Sequence, residues 1–138
     1  MPSIEPTAEA LQKLIDEASD ESPLVMINLL RYREQAEYPR GSGAAPCSGE
    51  EAYQRYVTLV LPMLGEVGAK VLWRGSVKHV VIGPAAEKWD EAFLVEQPSR
   101  RALLTLVSRA EYLEAAVHRT AALADSRLIA TATVASGF

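Results

Sequence analysis

The stretch "LVMINLL", Leu24 to Leu30, decides how this chain folds. It is a short apolar run, closed by Pro23 on one side and by charged residues from Arg31 on the other, which marks a strand over 24–31. Side chains of a strand alternate between its two faces. Val25, Ile27 and Leu29 therefore share one face, and Met26, Asn28, Leu30 and Tyr32 share the other. Both sets are largely apolar, so both faces of the sheet need cover. Helices supply one cover, and a second copy of the chain is the economical source of the other. A homodimer through the open sheet face is expected, with two sheets enclosing a partly polar chamber.

Upstream, Thr7 is placed to cap a helix whose apolar positions are Ala8, Leu11, Leu14 and Ile15, and "ESPL" ends it. Downstream, "REQAEYPRGSGAAPCSG" has the Gly, Pro and Ser content of a loop, long enough over 33–48 to be mobile or functional. Ser48 with Glu51 forms a capping box at the head of "EEAYQRYVTLVLPMLGEVG", which Pro62 is expected to kink or divide and Gly68 to stop. "AKVLWRGSV" is the second strand, with Gly75 at a bend or bulge and "KHVVIG" as a candidate hairpin extension. "PAAEK" is a turn and "WDEAFLVEQ" the third strand, ended by Pro98. Ser99 caps the helix "RRALLTLVS", "AEYLEAAVHRTAALA" is a further helical segment, and "SRLIATATV" is the fourth strand. The order is a helix followed by β-α-β-β-α-β, an α+β ferredoxin-like plait with an extra N-terminal helix. The expected division is a helical extension over 1–21, a single ferredoxin-like domain over 22–134 and a tail over 135–138.

The 138 residues carry a formal charge of -4, and an acidic total argues against non-specific binding to nucleic acid. No apolar run approaches the ~20 residues of a membrane span. The start "MPSIEPTAEALQKL" lacks the basic segment and apolar block of a secretory signal, and the single Cys47 has no internal partner. A cytoplasmic location, away from membranes, is the expectation.

Parity also sorts the polar residues of the strands. Leu72 and Arg74 fall on one face, against Val71 and Trp73. Ala92, Leu94 and Glu96 alternate against Glu91, Phe93 and Val95. Asn28, Arg74 and Glu96 interrupt otherwise apolar strands. If they share the chamber face, Arg74 and Glu96 pair there, either as a structural ion pair beside a hydrogen-bonded Asn28 or as the polar end of an apolar ligand pocket.

"SPLVMINLLRYRE", "GAKVLWRG" and "EKWDEAFLVEQPSRRALLTLVSRAEYLEAAVHRTAALADSRLIAT" together resemble the domain-of-unknown-function family 1330 over roughly residues 22–131. The most specific pieces are Trp89-Asp90, Pro98-Ser99 and the closing "HRTAALADSRLIAT". At Glu96 this chain departs from the basic residue expected of relatives, with "LVEQPS" in place of "LVRYPS". The resemblance implies the dimeric α/β-barrel superfamily, whose members include cofactor-free oxygenases, haem-degrading oxygenases and lactone isomerases. Some of those oxygenases use an Asn on the first strand with a nearby Trp; Asn28 fits the first part, and Trp73 or Trp89 could supply the second. Such an Asn would orient a substrate oxygen and stabilise developing negative charge.

His118, followed by Arg119, has three readings: a helix residue near the C-terminal carbonyls, a proton-transfer residue, or a haem or metal ligand. No HxxxH, HExxH or CxxC accompanies it, and His79 is the only other histidine, so no protein metal site is expected. Cys47 lies just before a helix start, Tyr53 and Tyr56 share one helix side, and Asp125, Ser126 and Arg127 read as a turn from which Arg127 could present a guanidinium to an anion. The functional expectation is a small-molecule protein with a pocket between sheet and helices, in the manner of a cofactor-independent oxygenase or isomerase. Asn28, Arg74 and His118 would be its catalytic residues, and Trp73, Trp89, Glu96 and Arg127 its ligand-binding ones. The alternative is a non-catalytic ligand-binding or regulatory homodimer. No cofactor is expected, haem being the one that the resemblance leaves open.

Overall fold

The computed structural model describes residues 2–138. Its elements are α1 (Ala8–Asp16), β1 (Leu24–Tyr32), α2 (Gly49–Glu66), β2 (Lys70–Ser76), β3 (Glu91–Gln97), α3 (Arg100–Ser108), α4 (Ala110–Ala122) and β4 (Leu123–Thr131). The strands form one antiparallel sheet in the order β2-β3-β1-β4. After α1 this is the β-α-β-β-α-β plait, with the second helical crossover split in two where Arg109 turns extended between α3 and α4. Among the described residues no helix is long and apolar enough to cross a membrane.

The helix starts are written in side chains. Thr7 accepts from the Ala10 N–H, Ser99 from that of Ala102, and Ser48 and Glu51 close a reciprocal capping box. Each satisfies a backbone donor that a first turn leaves free. Gly68, at φ 80°, supplies the left-handed residue after α2. Pro62 does not divide α2, which continues through it to Glu66. The ring lies on the exposed side, where water can solvate the carbonyl that Pro62 leaves without a donor.

Helices cover the face of the sheet that carries Leu24, Met26, Asn28 and Leu30. There Leu24, Met26 and Val95 pack with Leu103 and Ala69, while Leu30 packs with Ala52, Tyr53, Ala122 and Leu123. A third cluster, Val60, Met63, Leu106 and Ala115, joins α2, α3 and α4. The opposite face is uncovered in the single chain. Val25, Ile27 and Leu29 lie on it, with Leu94 and Ile129 directly opposite Ile27 on its two neighbouring strands.

Boundaries at β2 and β4 differ from the sequence expectation. "KHVVIG" does not extend β2; residues 77–90 form an irregular arm whose tip exposes Val81 and Ile82. β4 begins at Leu123 rather than Ser126, because the end of β1 needs a partner: Tyr32 pairs with Leu123 and Arg31 with Asp125. Strand pairing there prevails over the helical propensity of "ALA". Asp125, Ser126 and Arg127 are accordingly strand residues and not a turn, although Asp125 makes the local bonds a turn would have, accepting from the Ser126 N–H and from Arg127.

Candidate functional site

The β2 register contains a bulge between Val71 and Trp73. One extra residue reverses the alternation beyond it. Arg74 consequently pairs with Phe93 and points to the helix-covered face, while Trp73 pairs with Leu94 and lies on the open face. The Trp73 indole folds back over Gly75, where an added Cβ would come within 2.4 Å of the ring. Glu96, opposite Val25, is on the open face and bonds Lys70 at 3.7 Å. The expected Arg74–Glu96 pair is therefore absent: the two residues are on opposite faces of the sheet.

The partner of Arg74 is Glu91. Arg74 Nε donates to Glu91 Oε1 and Arg74 Nη2 to Oε2 at 3.2 Å, a forked arrangement across neighbouring strands. Tyr32, at the end of β1, donates its hydroxyl to the same Oε2 at 2.7 Å. The Glu91 side chain is only 10 % exposed, so these donors replace water around its carboxylate. Bonding to Glu91 raises the Arg74 pKa above its ordinary value. Burial, followed by the bond to Glu91, pushes the Tyr32 phenol well above its ordinary range. Asp90 fixes the corner: its Oδ2 accepts from the Tyr32 N–H at 2.8 Å and its own N–H donates to the Leu30 carbonyl at 2.8 Å.

This triad borders a cavity of about 520 Å³, lined also by Glu50, Gly75, Ser76 and Asp90. Three strands and the first turn of α2 contribute to it. Behind Tyr32, aromatic rings continue into the core, Tyr32 to Tyr53 at 5.7 Å and Tyr53 to Tyr56 at 5.2 Å between centroids. Tyr56 in turn shares a 3.1 Å hydroxyl contact with Tyr112. Burial raises the pKa of both Tyr53 and Tyr56 and keeps them neutral. They are packing residues, with Tyr53 in the Leu30 cluster.

The other residues singled out in the sequence do not converge on this cavity. Asn28 is buried on the helix side, and its amide donates to the Met26 carbonyl at 3.2 Å. His118 Nδ1 is 2.6 Å from the Tyr38 hydroxyl, which also accepts from Arg55 Nη1 at 3.2 Å. Arg55 can only donate, which leaves the Tyr38 proton free to be given to the Nδ1 of a neutral His118 imidazole. Burial and then the nearby Arg55 charge hold the His118 pKa below its ordinary value. This cluster ties the 33–48 loop to α2 and α4. Cys47 is a half-buried free thiol in that loop and packs against the Leu30 cluster. Trp89 and Arg127 do meet, the guanidinium lying 5.1 Å over the indole ring.

Glu91, Tyr32 and Asp90 were missed as site residues. A signal for Glu91 existed, because strand parity sets this acidic residue on the same face as Phe93 and Val95, both of core type. Nothing in the one-dimensional pattern announced the bulge that turns Arg74 toward it.

Comparisons with known proteins place the chain among relatives without an assigned activity. A family model described as a domain of unknown function (DUF1330) matches residues 46–133. A protein of unknown function from Rhodopseudomonas palustris is 36 % identical, over 98 % of this chain and 99 % of that one, with a TM-score of 0.90. The hydroxynitrile lyase of Passiflora edulis shares 12 % identity over 86 % of this chain and 98 % of its own, at a TM-score of 0.55. A dimeric protein of unknown function and ferredoxin-like fold from Bacteroides fragilis shares 10 % identity over 80 % of this chain and 96 % of its own, at 0.50. The last two show the fold alone. No curated protein matches the sequence.

Proposed function

The chain belongs to the DUF1330 family, a domain of unknown function, and from that premise we propose that it is a homodimeric small-molecule enzyme whose proton-transfer site is the Glu91 cavity. One observation carries the reading: a buried carboxylate, held by Arg74 and Tyr32 from neighbouring strands, borders a cavity of about 520 Å³ with polar walls. Glu91 is placed to take a proton from a bound substrate, and the Tyr32 hydroxyl, already donating to it, to return one. Arg74 orients the carboxylate. Since Glu91 neutralises Arg74, and Glu50 and Asp90 add negative charge, the cavity favours a neutral polar substrate over an anion. That chemistry suits a proton-shifting isomerase without a bound cofactor better than an oxygenase. It also assigns the base to Glu91 rather than to His118, which is bonded to Tyr38.

The reading is tested by incubating the protein in heavy water with a panel of enolisable hydroxycarbonyl compounds and following proton loss by NMR. Protein-dependent deuterium uptake, abolished in Glu91→Gln, is the expected result. A cavity that binds members of the panel but exchanges none of their protons would favour the alternative, a ligand-binding homodimer. A specific observation supports that second reading: both Glu91 oxygens are already engaged within the chain, as they would be in a structural ion pair.

The homodimer itself rests on the open sheet face. Its centre is Ile27 between Leu94 and Ile129, flanked by Val25 and Leu29, and Trp73 on β2 is 54 % exposed. A second copy meeting this face would bury that surface as the helices bury the other and would close a dimeric α/β barrel. Sedimentation of the wild type and of Ile27→Lys tests it, with a dimer and a monomer expected respectively.

A further inference from the structure

A second cavity, of about 300 Å³, lies at the far end of the open face, between the sheet and the 77–90 arm. Its floor is Arg31 of β1 with Asp125 and Arg127 of β4, which parity sets on the uncovered side with Leu29. Its wall is the arm, which brings Pro84, Lys88 and Trp89. Trp89 is held in place twice: its indole N–H donates to Glu87 at 3.2 Å, and Arg127 stacks over its ring. Asp125 accepts from Arg127 at 2.8 Å and from the N–H groups of Ser3 and Ser126, so its charge is answered locally.

That leaves Arg31 and Lys88, which form no ion pair among the described residues. Two unpaired cations beside a fixed indole and a proline, in a cavity at the small end of the ligand range, describe a receptor for a flat monoanion. We propose that this cavity binds a small aryl or similarly planar carboxylate, its carboxylate on Arg31 and Lys88 and its apolar body against Trp89. Glu87, which accepts the Trp89 indole N–H and forms no ion pair among the described residues, adds a negative charge to the lining, opposes a second negative charge on the ligand and so disfavours phosphate monoesters. The site shares no lining residue with the Glu91 cavity.

The probe is sodium benzoate, titrated into the full-length protein and followed by 1H–15N NMR at the Trp89 indole N–H. Benzamide keeps the ring and removes the charge, acetate keeps the charge and removes the ring, and inorganic phosphate adds charge. Saturable benzoate shifts are expected, with binding weakened about tenfold or more in Arg31→Gln and in Lys88→Gln, and with all three controls weaker. Both substitutions are at exposed side chains and leave the core intact, which unchanged spectral dispersion verifies. Absence of saturable shifts, benzamide or acetate matching benzoate, phosphate exceeding it, or equal affinity in both variants would each overturn the proposal.

Discussion

The two faces of β1 differ less in hydrophobicity than in how their polar neighbours are treated. On the helix-covered face, the acidic residue opposite Leu30 is Glu91, 10 % exposed and held by Arg74 and Tyr32. On the open face, the acidic residue opposite Val25 is Glu96, 37 % exposed and 3.7 Å from a mobile-chained lysine. The same residue type, five positions apart on one strand, is fixed within the fold in one case and left near solvent in the other. Odd spacing on a strand is enough to produce this contrast, and it separates the face that the helices cover from the face that they leave open.

The largest test of the contrast compares neighbours on β1. Leu30→Ala, in the core at 1 % exposure, is expected to cost about 3 kcal/mol in urea unfolding. Leu29→Ala, on the open face, is expected to cost under about 1 kcal/mol at high dilution and more as protein concentration rises and copies associate. Equal, concentration-independent losses would break the distinction. Next in size is Glu91→Gln, which leaves Arg74 without its counter-charge and is expected to cost about 1–2 kcal/mol. Differential scanning calorimetry reads it.

A smaller effect comes from the loop anchor. His118 has a depressed pKa in the folded chain, so the unfolded chain binds its proton first as the pH falls through the ordinary value of 6.5. Its contribution is present above that value and is lost progressively below it. Between about pH 7.5 and about pH 5 the urea midpoint should fall in the wild type, and fall less in His118→Gln. A steeper fall in the variant would reverse the sign assigned to the anchor. Smallest of all is Glu96→Gln, expected to stay within about 0.5 kcal/mol, since a solvent-facing pair contributes little. A loss as large as that of Glu91→Gln would erase the difference between the faces.

Much of the fold was legible because it is written in local chemistry. Thr7, Ser48 with Glu51, and Ser99 each announce a helix start, and each makes the bond its sequence position implies. The strand alternation of "LVMINLL" is read directly as a covered face and an open one. The site was less legible because it depends on register. A single bulged residue at Leu72 carries Arg74 across the sheet, and no residue type there signals it. The start of β4 failed for a related reason: Leu123 takes its conformation from Tyr32, more than ninety positions away, and not from the alanines beside it. Trp89 and Arg127 were brought together as ligand-site candidates, but their neighbours Arg31 and Lys88 emerged only once the arm had a path.

The backbone joint at Gly49 has a further consequence. Gly49 donates to the Arg33 carbonyl at 3.1 Å, and Arg33 donates to that of Ala122 at 2.8 Å. A Cβ on Gly49 would lie 2.2 Å from the Arg33 oxygen and 2.6 Å from that of Ala122, so only glycine permits the junction. The intervening residues thus form an excursion between two points already clasped. Its contour can lengthen with little entropic penalty, and its outer glycines at Gly41 and Gly43 make it the natural place to graft a foreign peptide without loosening the scaffold.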